Sequence, residues 1–482
     1  MENIEGKTKN AFKWSTITEI FARIIQPITN MILARLLLPE AFGVLSTIMM
    51  VIAFAEVFVE SGFQKFLIQH EFSNVKEERE YLSVAFWTNL VFSLFIYIVL
   101  TVFSKQLVHF VGNDELGLPL SVISIVVPIY GIIGIQNCQL RKSLNFKKLF
   151  YVRISAALVP LFITIPSALI GMDFWALIVG NIAGAIVRSV MLYFVGHFKP
   201  SFYFNLDQLK HMLKAGMWTL LDGIAVWATL WLDTFLIARN LSNYHLGIYK
   251  NSITTITEFF AIVTSAITPV LFASLSRVQN NNAEFNKLFL KVQKTLSIFL
   301  IPMGAGLYFH SGLATEILFG PGWEEASRFI GVTSIAIALR TIFVSFYSEA
   351  YRAKGKFQIP LYMQLLDILI LVPTCTIAVK QGFWQLVYAR AFVRLDLILP
   401  GVIVIWLVCR ISLLDTIKVV VHPIIATSGI SVIIVLIRGL SSSYIWQFTS
   451  IVISIGGYFV ILFLFKEERD GYLAPVLNRF RK

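Results

Sequence analysis

Eight cations fall inside long apolar runs: Arg23, Lys65, Arg153, Arg188, Lys250, Arg340, Arg390 and Arg394. At the centre of a membrane helix each costs about 2.5 to 3.5 kcal/mol on insertion scales, so such side chains face a wet interior or a partner. Lys65 stands near the end of its run, where its stem lets the ammonium snorkel to the surface. For the others the natural chemistry is anion recognition, because guanidinium and ammonium groups make charge-assisted hydrogen bonds to phosphate. Acids accompany them. Glu19 stands one turn before Arg23, with Pro27 next along the same run. This reads either as a self-neutralised i,i+4 pair that tolerates burial, or as a cavity wall holding a basic group ready on a helix that proline allows to bend. Glu56 and Glu60 are again one turn apart, and two close carboxylates at low dielectric resist ionising together.

Further along, Asp222 and Asp233 are eleven residues apart, three helical turns, and so share a face. Lys250, Asn251 and Glu258 lie in the next run, then Arg340, then Asp367. The aspartates are counter-ions of Arg340, Arg390 or Arg394 on one reading, and a cation or proton site on the other. Asp396, two residues beyond Arg394, points from a different helix face and is expected to pair with a neighbouring span.

The elements that must position these charges are membrane helices. A chain of 482 residues that is 57% hydrophobic and 14% charged is excluded from the ordinary soluble class. The hydrophobic runs place fourteen spans, at 12–34, 42–69, 81–103, 116–137, 150–170, 174–196, 213–238, 246–275, 294–311, 327–351, 359–379, 384–408, 417–438 and 444–465. With the N-terminus taken as cytoplasmic, 26 Lys and Arg gather in the inner loops and only six in the outer ones. That asymmetry predicts both termini inside and explains most of the net charge of +12 without a nucleic-acid partner. No N-terminal secretory signal is expected, since the first ten residues are polar and the following run is long enough to span. Cys138, Cys375 and Cys409 have no CxxC spacing and read as packing residues. The seven histidines are scattered near span ends without metal-ligand spacing, so no metal site is predicted.

The chain repeats itself. Residues 14–45, beginning Trp14 and carrying the corner Leu38-Pro39-Glu40, align without a gap on residues 218–249: Trp14 on Trp218, Ala34-Arg35 on Ala238-Arg239, Leu37 on Leu241 and Gly43 on Gly247. Phe174-Trp175-Ala176-Leu177 is echoed by Phe383-Trp384-Gln385-Leu386. Matches in the same order argue for two copies of one multi-span unit, a common plan among secondary transporters. The predicted domains are an N-lobe of spans one to six (1–205), a C-lobe of spans seven to twelve (206–412) and an added helix pair, spans thirteen and fourteen (413–482).

Arg35-Leu36-Leu37-Leu38-Pro39-Glu40-Ala41-Phe42-Gly43, then 60–69 (ESGFQKFLIQ), then Gln139-Leu140-Arg141 with Asn145-Phe146-Lys147-Lys148-Leu149, resemble landmarks of the polysaccharide-biosynthesis export family. That family includes the Wzx-type flippases of the multidrug/oligosaccharidyl-lipid/polysaccharide exporter superfamily. Leu246-Gly247-Ile248-Tyr249 and the stretch 269–277 are similar to its second-half landmarks. The resemblance implies an all-α integral membrane protein with two six-helix lobes around a central cavity, alternating access, and a polyprenyl diphosphate-linked oligosaccharide as cargo. It further implies a place in O-antigen, capsule or exopolysaccharide assembly in the bacterial inner membrane, beside the polymerase and chain-length proteins of the same pathway. On that expectation Arg23, Glu19, Lys250, Arg340 and Glu56 form the substrate-binding set, and Asp222, Asp233 and Asp367 are candidates for coupling to H+ or Na+. There is no GxxxxGK[ST] sequence to suggest ATP as the drive, and no other cofactor is expected. An ion-coupled multidrug exporter of the same superfamily is the rival reading. A membrane enzyme is disfavoured by loops that hardly exceed about twenty residues.

Overall fold

The computed structural model describes the backbone of residues 2–59, 63–70, 72–196, 200–356, 358–441 and 443–469. Side chains at some further positions, Glu19, Arg23 and Lys65 among them, lie outside the described residues. Every regular element among the described residues is helical. In chain order these are α1 (Glu2–Leu36), α2 (Pro39–Val59), α3 (Phe63–Gln69), α4 (Val75–Val102), α5 (Ser104–Val111), α6 (Gly117–Ile123), α7 (Val126–Lys142), α8 (Phe146–Val159), α9 (Ile165–Leu169), α10 (Phe174–Gly196) and α11 (Leu206–Asn240). There follow α12 (Asn243–Arg277), α13 (Asn282–Phe309), α14 (Ser311–Leu318), α15 (Glu324–Arg340), α16 (Phe346–Ala353), α17 (Gln358–Val379), α18 (Phe383–Val393), α19 (Ile398–Cys409), α20 (Leu413–Arg438), α21 (Tyr444–Leu464) and the short α22 (Lys466–Glu468).

Among the described residues, twelve helical segments are long and apolar enough to cross a membrane. The two other predicted spans coincide with α1 and α12. Several spans are built from two helices in series. Pro160–Thr164 and Thr341–Ser345 are single wide π-helical turns that join α8 to α9 and α15 to α16. Pro160 accounts for the first, because proline removes a backbone donor and crowds the preceding turn. The second begins immediately after Arg340, and wide turns of this kind gather at functional positions. Helix starts are fixed locally by asparagines: Asn74, Asn145, Asn205 and Asn281 each accept a backbone N–H of the turn that follows.

Packing divides the chain into two compact units, Met1–Lys250 and Asn251–Lys482, with the boundary inside α12. In the first unit α1 packs on α8, α4 on α7, α10 on both α7 and α8, and α11 on α2 and α3. One apolar core there centres on Ile48, Ile52, Leu120, Ile123, Val127 and Ile178; a second on Phe63, Leu67, Val84, Ala85, Ile135 and Cys138. In the second unit α13 is the central post, carrying α15 on one flank and α20 on another.

The added C-terminal pair is attached to α13 in two ways. Ile298 packs with Ala426, Ile430, Ile434, Tyr458 and Leu462, and the Tyr458 hydroxyl donates to the Ile298 carbonyl at 2.8 Å. Near one end, Lys294 Nζ lies 2.8 Å from Glu468 Oε1 and 3.2 Å from Glu467 Oε2, while His422 Nδ1 lies 2.9 Å from Glu468 Oε1. The ligating atoms of His422, Glu467 and Glu468 fall within 4.8 Å of one another. Lys294 supplies the positive charge for that group.

Candidate functional site

Two groups of charges at membrane depth take shape, one in each unit. In the second unit Arg340 ends α15 with its side chain 18% exposed, and Asp367 of α17 is fully buried. The guanidinium grips that carboxylate with both arms, NH1 to Oδ1 at 3.2 Å and NH2 to Oδ2 at 2.8 Å. NH1 also reaches the Arg394 carbonyl at 3.5 Å and stands 3.8 Å from Asp396 Oδ1. Asp396, predicted to pair with a neighbouring span, thus meets one at Arg340. Among the described residues neither of its oxygens accepts a hydrogen bond from a side chain. Arg390 is within electrostatic reach of the same carboxylate.

One guanidinium therefore serves two buried carboxylates, and the stronger contact goes to Asp367. A bidentate pair of this kind is directional as well as strong, so an incoming phosphate would have to compete with Asp367 for the two best donors of Arg340. Of the two readings open at Asp367, counter-ion and ion-coupling group, the geometry supplies the first directly. Asp396 is the residue that residue spacing alone did not select, because its value lies in having a cation nearby without a hydrogen bond from it.

In the first unit the polar groups lie along α11, α12, α2, α7 and α10. Asp233 is buried at 3% exposure and accepts from the Tyr249 hydroxyl at 2.5 Å, from the Thr234 backbone N–H at 2.7 Å and from the Thr234 hydroxyl at 3.3 Å. Asp222 is half-buried and takes part in no ion pair or side-chain hydrogen bond among the described residues. At 1.5 Å per residue the two aspartates are about 16 Å apart along α11, so they share a face without sharing a site. Lys250 holds its ammonium 3.8 Å from the centre of the Trp231 ring and 3.4 Å from the Leu230 carbonyl, a cation–π seat that keeps the charge at the helix surface. Glu56 of α2 is half-buried, and it and Arg188 of α10 both lie within electrostatic reach of Tyr130 on α7. Glu19 and Arg23, the remaining members of the predicted binding set, have side chains outside the described residues. Arg188 was visible in the sequence as one of the eight membrane-depth cations, but its neighbours Glu56 and Tyr130 are far from it along the chain and only packing brings the three helices together.

Residues 32–328 match the model of a family described as polysaccharide biosynthesis protein. The chain belongs to this family. Its similarity to the succinoglycan biosynthesis transport protein ExoT of Rhizobium meliloti is 26% identity over 344 residues, covering 70% of this chain and 68% of that protein. To the lipopolysaccharide biosynthesis protein WzxC of Escherichia coli it is 24% over 351 residues, covering 70% and 69%. Among solved structures the lipid II flippase MurJ, in an inward closed conformation, matches with a TM-score of 0.76 at 17% identity, covering 94% of this chain and 98% of that one. The expected all-α fold is thereby one shared with that solved structure, and this polysaccharide biosynthesis family member is a multi-pass membrane protein.

Proposed function

We propose that this chain moves a polyprenyl diphosphate-linked oligosaccharide from the cytoplasmic to the outer leaflet of the bacterial inner membrane, for assembly of a surface polysaccharide, and that it is not an enzyme. The observation that carries the reading is the family match over residues 32–328; the names of the relatives and the flippase fold support it. The physical need is plain. A sugar head and a diphosphate lose their hydrogen bonds and hydration in about 30 Å of hydrocarbon, so a carrier must replace that water with its own polar groups.

Within this reading Lys250 and Arg188, with Arg23, are the cations assigned to the diphosphate, while Arg340 is assigned to holding Asp367. Asp396 joins Asp367 as a candidate for H+ or Na+ coupling, since a buried carboxylate with no side-chain hydrogen-bond donor is a group a small cation would satisfy. Both termini are assigned to the cytoplasm on the charge asymmetry of the loops. The reading is tested by deleting the gene and analysing lipid-linked intermediates. Accumulation of a completed lipid-linked oligosaccharide on the cytoplasmic side, reversed by the wild-type gene, is expected. Unchanged intermediates together with new sensitivity to cationic drugs would favour the multidrug-exporter reading instead.

A further inference from the structure

At the start of α15 an exposed arginine turns away from the acid beside it. Arg328 lies one turn after the equally exposed Glu324, a spacing at which the two charges ordinarily pair. They do not. Glu324 accepts from the Gly322 backbone N–H at 3.1 Å, and Arg328 crosses to α18. There its guanidinium lies over the Trp384 ring, 4.2 Å from the ring centre, and donates to the Tyr388 hydroxyl from Nε at 3.2 Å and from NH2 at 2.5 Å. Beside this shelf the buried rings of Phe329 and Phe383 stack and fix the two helix starts against each other.

A guanidinium carries five N–H donors. The tyrosine oxygen takes those of the Nε edge, and no carboxylate pairs with Arg328 among the described residues, so the NH1–NH2 fork is left open. A fork held flat in this way suits a phosphate, which it grips through two parallel hydrogen bonds. Apolar surface continues from the shelf along both helices. Ile335, seven residues along α15, and Phe392 and Leu399, beyond Tyr388, are 41%, 72% and 70% exposed. An anion seat next to exposed hydrocarbon is the outline of an amphiphile. Glu324 narrows the choice, because its exposed carboxylate has no cation partner among the described residues and calls for a positive group close to the phosphate. Glu325, the other acid of this turn, keeps Oε2 buried. Nor does the shelf belong to the repeated framework. Extending the alignment of 174–177 on 383–386 by two residues puts Val179 opposite Tyr388.

We propose that this shelf binds a phospholipid whose headgroup carries both a phosphate and a primary ammonium. Arg328 takes the phosphate, Glu324 the ammonium, and the acyl chains lie along Ile335 and Phe392. The charge asymmetry of the loops assigns this end of α15 to the outer leaflet. Each charge of the headgroup meets one of opposite sign, so neither partner is left bare where water thins out at the membrane surface. The site is separate from the cargo-binding groups, and the proposal does not depend on what the cargo is.

The test uses the full-length protein in nanodiscs holding equal amounts of phosphatidylethanolamine, phosphatidylcholine and phosphatidylglycerol, with retained lipids counted by native mass spectrometry. Phosphatidylethanolamine is expected to be retained at least fivefold over phosphatidylcholine, whose quaternary nitrogen has no N–H for Glu324, and over phosphatidylglycerol, which has no cation. Arg328→Gln and Glu324→Gln are each expected to erase that preference, while Lys380→Gln, at an exposed cation outside these contacts, should keep it. A second readout needs no charge change. The fluorescence that Trp384→Phe removes is expected to be quenched at least twofold more by acyl-brominated phosphatidylethanolamine than by brominated phosphatidylcholine. Equal retention of the three lipids, or equal quenching by the two brominated ones, overturns the site. Preference for phosphatidylglycerol overturns the part given to Glu324, and a preference that survives Arg328→Gln overturns the shelf as the place where the lipid is held.

Discussion

At the scale of single residues, the second unit is organised by the choice Arg340 makes between two acids. Because Asp367 is fully buried and held by both arms of the guanidinium, removing the arginine leaves an uncompensated charge. Arg340→Ala is therefore expected to destabilise the protein by about 3–5 kcal/mol, seen as a lower melting temperature in detergent, and adding Asp367→Ala is expected to restore much of the loss. If the double variant melts no higher than the single one, the pair is not what holds the site. Lys250 and Arg188 carry the opposite expectation. Charge reversal at either, Lys250→Glu or Arg188→Glu, should abolish export of the lipid-linked sugar while expression and membrane insertion persist, as read by surface polysaccharide against membrane-fraction protein.

The chemistry of these residues was legible in the sequence because a charge inside a twenty-residue apolar run stands out against its surroundings. Partner choice was not. Asp367 lies 27 residues from Arg340 and Asp396 another 29 beyond, and nothing in local spacing says which carboxylate a packed bundle presents to the guanidinium. Tyr249, which satisfies Asp233, was hidden because a tyrosine in an apolar helix carries no mark of its polar task.

Among elements, span positions were readable because length and hydropathy are set by the bilayer, and the asparagine caps give them sharp starts. What the apolar runs conceal is that several spans are two helices joined by a wide turn. At one such join, Gly180 of α10 lies so close to Thr164 that a Cβ there would collide with the threonine side chain. Gly180→Ala is accordingly expected to cost about 1–3 kcal/mol through overpacking, while Gly184, whose Cβ would meet nothing within 4 Å, should accept alanine with little change. Equal melting temperatures for the two variants would mean that the close approach at Gly180 relaxes freely.

For the molecule as a whole, the repeat foretold that related corners recur, but not that Gly43 would lie against the Asn243 carbonyl and Gly247 against that of Pro39. The final helix pair, which has no counterpart in the repeat, is fastened to α13 by the Ile298 core and by the Lys294–Glu468–His422 group. Glu468→Gln should loosen that fastening, since it withdraws the buried charge facing a lysine that is only 12% exposed. The expected result is faster protease cleavage at the 410–412 turn, with cleavage elsewhere unchanged.

The grip of Arg340 on Asp367 also bears on how the protein is made. Its two partners sit on successive transmembrane segments, and either segment released alone from the insertion machinery would bring a bare charge into oil at about 2.5 to 3.5 kcal/mol. Entering together as a hairpin, they would arrive already neutralised. Ribosome-bound nascent chains truncated between the two should thus linger at the translocon, and chains long enough to include Asp367 should leave it.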